Sequence, residues 1–138
     1  MRGFNEDLIA HFRKNRGTIT EGPFTGRAVL LLTTTGKRTG QPRTHPLVYT
    51  TDGDRLLVIA SKGGAPTNPS WYLNLNAHPE VTVEVGPETY QAKAIAVAAG
   101  TERRRLYDQH SAINPGFKDY EQKTTRVIPA VLLERLPA

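Results

Sequence analysis

The chain has 138 residues, 18 Lys and Arg against 13 Asp and Glu for a formal charge of +5, 38% hydrophobic residues and no cysteine. That length suits one domain with a real core, and the missing cysteines exclude a thiol nucleophile, a disulfide framework and cysteine-based metal or iron–sulfur ligation. The longest apolar run is Ala28 to Leu32 and the N-terminus is polar and charged, so the chain reads as a soluble, non-exported, cytoplasmic protein.

Asn5 to Arg16 has the grammar of a helix: Asn5 as cap, Glu6 and Asp7 in the first turn, and Arg13, Lys14 and Arg16 in the last, before Gly17. Phe4, Leu8, Ile9 and Phe12 fall on one side, for packing on its own domain or, alternatively, for a membrane surface. Residues 1–25 form this helix and a loop; residues 26–138 form the main domain. From Arg27 the pattern changes to strands, Ala28 to Thr34, Thr44 to Thr51 and Leu56 to Ala60, each bounded by glycine or proline. Asn68 is placed to cap a helix with Pro69 at its first position and Trp71, Tyr72 and Leu75 on its apolar side. Val81 to Val85 alternates at period two, and Thr89 to Ala98 continues as a second half-buried strand. Thr101 caps a charged helix to about Ser111, a short helix follows from Phe117 to about Thr124, and Val127 to Leu133 is the last strand, put at an edge or bulge by Pro129. The expected fold is mainly β, an antiparallel rolled sheet or small barrel of about six strands with peripheral helices.

The charge is unevenly placed. Between Gly22 and Pro79 the only acids are Asp52 and Asp54, against Arg27, Lys37, Arg38, Arg43, Arg55 and Lys62, so most of the +5 sits in this window. Both acids belong to the hairpin turn Thr51-Asp52-Gly53-Asp54, which leaves the basic turn Gly36-Lys37-Arg38-Thr39-Gly40 and Arg43 with little opposing charge. This turn is either a solvated loop or an anion site, since backbone amides, a hydroxyl and three cations suit phosphate or carboxylate. It is not a nucleotide P-loop, because it lacks the spacing and joins strand to strand. Ser61-Lys62-Gly63-Gly64 ends a strand, as a plain loop or as a place where Lys62 and two glycine amides approach a ligand closely. Trp71 is either core or the cover of a planar ring, and Tyr120 either packs or offers a hydroxyl. His11, His45, His78 and His110 show no short metal spacing. No nucleophile–base pair or carboxylate pair is visible, so an enzyme of this sequence would borrow its chemistry from a cofactor.

Three segments in order, Leu31 to Tyr49, Ile59 to Val85 and Asp119 to Glu134, closely resemble the deazaflavin-dependent nitroreductase family. The resemblance runs from about Gly26 to the C-terminus. It implies a split β-barrel like that of flavin-mononucleotide oxidases and the coenzyme F-420, a hydride carrier with a phosphate and an oligoglutamate tail; flavin mononucleotide is the runner-up ligand. By position in the family motif, Lys37, Arg38, Thr39 and Arg43 would meet tail and phosphate, and Lys62, Gly63 and Gly64 would add contacts. Ala60 and Ser61 would border the ring, with His45, Pro46, Trp71 and Asn74 at the same pocket; relatives commonly carry asparagine where this chain has His45. The implied activity is hydride transfer from the reduced coenzyme to a small electron-poor acceptor such as a quinone, enone or nitroaromatic, with Tyr120 and Ser61 hydrogen-bonding the acceptor or relaying a proton. The alternatives are a non-catalytic carrier of the coenzyme or a related anionic flavin, and a nucleic-acid-binding barrel, although no nucleic-acid partner is expected. A monomer or homodimer is expected; for the first helix, packing on its own domain is preferred, and weak membrane association is the alternative.

Overall fold

The computed structural model describes residues 3–137. In chain order the elements are α1 (Phe4–Lys14), β1 (Val29–Thr35), β2 (Pro42–Val48), β3 (Thr50–Asp52), β4 (Arg55–Ile59), a 3-10 turn (Lys62–Gly64), α2 (Ser70–Ala77), β5 (Glu80–Val85), β6 (Glu88–Val97), α3 (Gly100–Ile113), α4 (Gly116–Gln122) and β7 (Ala130–Arg135). The strands form one sheet in the order β2-β1-β5-β6-β7-β4-β3, antiparallel at every pairing.

The predicted strand Thr44 to Thr51 is two strands, which raises the expected six to seven. It breaks at Tyr49, whose amide donates to the Ala28 carbonyl at 3.0 Å. Residues before the break pair with β1 at one edge of the sheet, and residues after it pair with β4 at the other. A single residue therefore spans from edge to edge, which is possible only if the sheet has rolled until its edges meet. Pro42 and Pro46 are tolerated in β2 because it is an edge strand with no ladder partner on one side.

Period two explains why β1, β4 and β7 are apolar on both faces. Leu30, Leu32, Val58, Val131 and Leu133 point into the barrel, where α2 plugs them with Trp71, Tyr72 and Leu75. The alternate residues face outward under helices: Val29 and Leu31 lie beneath Leu8 and Phe12 of α1, and Leu57, Ala130 and Leu132 lie beneath Leu106 and Tyr107 of α3. Burying one such side chain contributes about 1.5–3 kcal/mol. The three apolar clusters hold the barrel from inside and from two sides.

Several local expectations are corrected. Asn5 lies within α1, whose N-cap is Gly3 with no side-chain cap. Thr101 likewise lies inside α3, capped by Ala99. Asn68 does not cap α2, because its Oδ1 accepts a hydrogen bond from Arg126 at 2.7 Å and Pro69 takes the cap position. Pro129 does not mark an edge: it precedes β7, an interior strand between β6 and β4, and its carbonyl accepts from the Ala60 amide at 3.0 Å.

Candidate functional site

The β1–β2 turn is built on itself and tied down from below. The Gly36 amide donates to the Gln41 carbonyl at 2.8 Å, the Gly40 amide to the Gly36 carbonyl at 2.9 Å, and the Gln41 amide to Thr39 Oγ1 at 3.2 Å. A Cβ at Gly36 would stand 2.6 Å from Thr39 Oγ1, so no other residue closes the turn as tightly. The tether is Asn74 on α2, which is 7% exposed. Its Oδ1 accepts from the Lys37 amide at 2.9 Å and its Nδ2 donates to Thr34 Oγ1 at 3.1 Å. The turn is thereby fixed while its charged side chains stay exposed. No carboxylate engages Lys37, Arg38 or Arg43 among the described residues.

Several acids are paired with arginines elsewhere. Arg104 grips Glu121 at 2.7 Å, Arg105 joins Asp52 to Glu102, and Arg13 makes a two-point contact with Glu84. These partners hold the carboxyls of Asp52 and Glu121 below the usual carboxylate range. The expected separation of the hairpin acids from the basic turn is therefore realised: Asp52 is bound to arginines of β4 and α3.

Around the turn lies a cleft of about 360 Å³ walled by Lys37, Arg38, Thr39, Arg43, Ser70 and Asn74. It meets a second cleft of about 620 Å³ whose walls carry the aromatic side chains Phe24, Trp71, Phe117 and Tyr120 with Pro46 and Leu47, and Arg27 and Lys62 among its polar points. His45 and Ser70 belong to both walls, so the two clefts share a seam. Among the described residues, neither wall contains a carboxylate. The shape is that of a site for an elongated ligand with an anionic end and a flat apolar end.

Of the residues singled out from sequence, Lys37, Arg38, Thr39, Arg43, His45 and Asn74 meet at the first cleft, and His45, Pro46, Ser61, Lys62, Gly63, Trp71 and Tyr120 at the second. Asn74 acts on the cleft through the turn, since both its polar ends are engaged. Trp71 is 5% exposed in the barrel core, as its core reading expects, and it also forms cleft wall. Ala60 and Gly64 stand behind the wall. Ala60 is fully buried in the barrel, and the Gly64 amide donates to the Ser61 carbonyl at 2.9 Å. Gly64, at φ +83°, packs so closely on α4 that a Cβ would come within 2.8 Å of the Tyr120 carbonyl.

Arg126 was not legible as a site residue, and it organises the loop that carries Ser61, Lys62 and Gly63. Its Nε donates to the Ala65 carbonyl at 3.1 Å, Nη1 to the Ala60 carbonyl at 3.2 Å and to Asn68 Oδ1, and Nη2 to the Ser61 carbonyl at 2.9 Å. All four acceptors are neutral, and burial lowers the Arg126 pKa. The clamp holds Lys62 at φ +48°, a left-handed conformation rare for residues with a side chain. Lys62 Nζ rests on Thr67 Oγ1 at 3.2 Å.

His45 pairs with Leu32 across the edge ladder. Its pKa is lowered, first by burial and then by the Arg43 charge. Tyr120 meets Phe117 edge to face at 5.1 Å, and Phe117 meets His110 at 4.4 Å. His110 is fully buried, bonded through Nδ1 to Thr50 Oγ1 at 2.8 Å. No group of three or more His, Cys, Asp or Glu side chains suited to a metal occurs among the described residues.

Comparison with known proteins gives the family and the fold. The family model described as "F420H(2)-dependent quinone reductase" matches residues 7–135. An F420H(2)-dependent quinone reductase of Mycobacterium tuberculosis (strain H37Rv) is 44% identical over 108 residues, covering 77% of this chain and 72% of that protein. Among solved structures, an F420-H2 dependent reductase superposes with TM-score 0.71 at 35% identity, over 78% of this chain and 95% of the other. A structure described as a domain-swapped dimer gives TM-score 0.72 at 30% identity, over 93% and 92% of the two chains.

Proposed function

The chain belongs to the F420H(2)-dependent quinone reductase family, and we propose that its basic cleft holds the anionic tail of reduced F-420 while the aromatic cleft receives the deazaflavin ring and a quinone acceptor. Membership makes the protein an oxidoreductase that draws hydride from reduced F-420. The observation that carries the assignment of the clefts is their shared seam: a polycationic groove without carboxylates opens directly into an aromatic one through His45 and Ser70.

The residues fit the coenzyme. Lys37, Arg38 and Arg43 form a charged cradle for phosphate and glutamate carboxylates, and no carboxylate among the described residues neutralises them. When bound, the coenzyme supplies a hydride and releases a proton. The chain contributes position and polarity. Asn74 fixes the turn and Arg126 fixes the loop, so the cations and the Ser61 to Gly63 rim keep their spacing before any ligand arrives. Trp71, Phe117 and Tyr120 offer flat apolar surface that orders a ring and displaces water. Of the hydroxyls of this wall, Ser61, Ser70 and Tyr120, Tyr120 and Ser61 are assigned to hydrogen-bond the acceptor; Tyr120→Phe with unchanged turnover and acceptor affinity would remove Tyr120 from that role.

Two finer assignments go with this reading. A homodimer is the proposed assembly, tested by light scattering during gel filtration. Weak attachment to a membrane surface through α1 is proposed for a lipophilic acceptor; Phe4, 56% exposed, is the apolar residue of α1 left outside the core, and vesicle flotation of wild type against Phe4→Ser measures it. No described helix is long and apolar enough to cross a membrane.

The central experiment titrates the protein with F-420 and, in parallel, flavin mononucleotide at two salt concentrations, following ligand fluorescence. Selective F-420 binding that weakens with salt and in Arg38→Ala or Lys62→Ala is expected. Preference for flavin mononucleotide would overturn the coenzyme assignment. Binding without oxidation in the presence of quinones would favour a carrier.

A further inference from the structure

His45 is the side chain that forms wall in both clefts and carries a titratable ring. Its two nitrogens stand in opposite circumstances. Nδ1 is buried and has no hydrogen-bond partner. Nε2 is not among the buried, unpartnered atoms and has no hydrogen bond among the described residues, and the ring that carries it lines both clefts. A buried N–H with nothing to donate to is among the rarest of polar defects, whereas an unused lone pair is tolerated more readily. The proton of the neutral ring is therefore favoured on Nε2. The doubly protonated ring would put an unpaired, charged N–H into the dry side of the pocket.

We infer that His45 is a neutral hydrogen-bond donor, its Nε2–H presented to a carbonyl oxygen of the ring system that lies across the seam of the two clefts. The charges around the seam agree. Arg43 lies two residues away on the same face of β2, Lys37 and Arg38 come from the β1–β2 turn, Arg27 and Lys62 line the second cleft, and α2 contributes only the neutral Ser70, Trp71, Leu73 and Asn74. Nothing on any of these elements would stabilise an imidazolium, and burial with the Arg43 charge lowers the His45 pKa accordingly.

This inference rests on the proposed function and refines it. When a quinone takes up a hydride, its two electrons leave negative charge on a carbonyl oxygen until a proton arrives. A preorganised neutral donor stabilises that charge without being consumed. His45 keeps its proton; the oxyanion is neutralised by one proton from solvent, balancing the one the coenzyme releases to solvent. The same donor could serve a carbonyl of the coenzyme ring, and the two sources are separable by measurement.

The test has three arms. Long-range proton–nitrogen NMR on the ligand-free protein reads the tautomer directly, with Nε2 protonated and Nδ1 bare at pH 7 as the expected result. F-420 fluorescence titration gives coenzyme affinity, and tetramethyl-1,4-benzoquinone with the reduced coenzyme gives kcat/KM. His45→Leu removes the donor and His45→Gln retains one. About a tenfold loss is expected in the leucine variant alone: in quinone kcat/KM at unchanged coenzyme affinity if the oxygen is the acceptor's, or in coenzyme affinity if it is the coenzyme's. A proton on Nδ1, or a leucine variant equal to wild type in both assays, overturns the inference. Should the leucine variant fold poorly, the tautomer and the glutamine variant still decide. Failure of the wild type to bind F-420 at all would sink the functional reading instead, and the tautomer measurement would be unaffected.

Discussion

Replacing Arg126 with alanine removes four hydrogen bonds at once, to the carbonyls of Ala60, Ser61 and Ala65 and to Asn68 Oδ1. A net value of about 1 kcal/mol per bond would give about 4 kcal/mol. The Ser61 carbonyl keeps the Gly64 amide as a second donor, and Arg126 is half-buried, so water recovers part of the loss. The expected destabilisation is about 2–3 kcal/mol. It is read as a lower midpoint in urea at unchanged slope. Because the lost bonds hold Lys62 in a left-handed conformation, F-420 affinity should fall together with stability. Arg126→Lys restores a charge but not the planar fork that spans acceptors on both sides of the loop, so it should recover little of either. An alanine variant within about 0.5 kcal/mol of wild type, binding F-420 normally, would refute the clamp.

Three further outcomes are expected. Burial pushes the His110 pKa from 6.5 down to about 4, so between those values the unfolded chain binds a proton that the folded one refuses. Stability should be complete above pH 6.5 and fall by about 1.4 kcal/mol per pH unit on going down to pH 4; His110→Gln should flatten that slope in a pH series of denaturant melts. Asn74→Ala strands Thr34 and the Lys37 amide, costing about 2 kcal/mol and loosening the basic turn, visible as weaker, still salt-sensitive F-420 binding. Gly64→Ala drives a Cβ against the Tyr120 carbonyl at positive φ, and a thermal melt should show a loss of at least about 2 kcal/mol.

The parts of the fold legible in sequence are those governed by local periodicity. The doubly apolar β1, the alternating β5 and the apolar side of α2 are visible because burial is imposed at every second or every third to fourth residue. The basic turn was legible for a different reason: a charge excess without nearby acids is a property of composition, and Gly36 and Gly40 bracket it. The break at Tyr49 was not, because neither glycine nor proline marks it; the bend is imposed by the chain leaving β1 to pair, as β3, with β4, whose place in the sheet order is at the other end from β2. Asn68 and Thr101 have cap chemistry without cap geometry, since tertiary bonding claims one and the helix starts earlier at the other. Arg126 was hidden most completely. Its acceptors lie 58 to 66 residues away and three are backbone carbonyls, which every residue type presents alike. The base placed just before the buried β7 was its only trace.

The passage of one chain segment from β2 through Tyr49 into β3 makes that segment act as a drawstring. Arg43 and His45 sit on its first half, while its second half is fastened to β4 and, through Asp52, to Arg105 of α3. A ligand that immobilises the first half therefore pulls on both rims of the barrel. Its binding free energy is felt as resistance to opening at the Gly53 hairpin, remote from either cleft, because opening there means slackening a strand that the ligand holds taut. Amide exchange in β3 and β4 then becomes a gauge of occupancy for a site those strands barely touch.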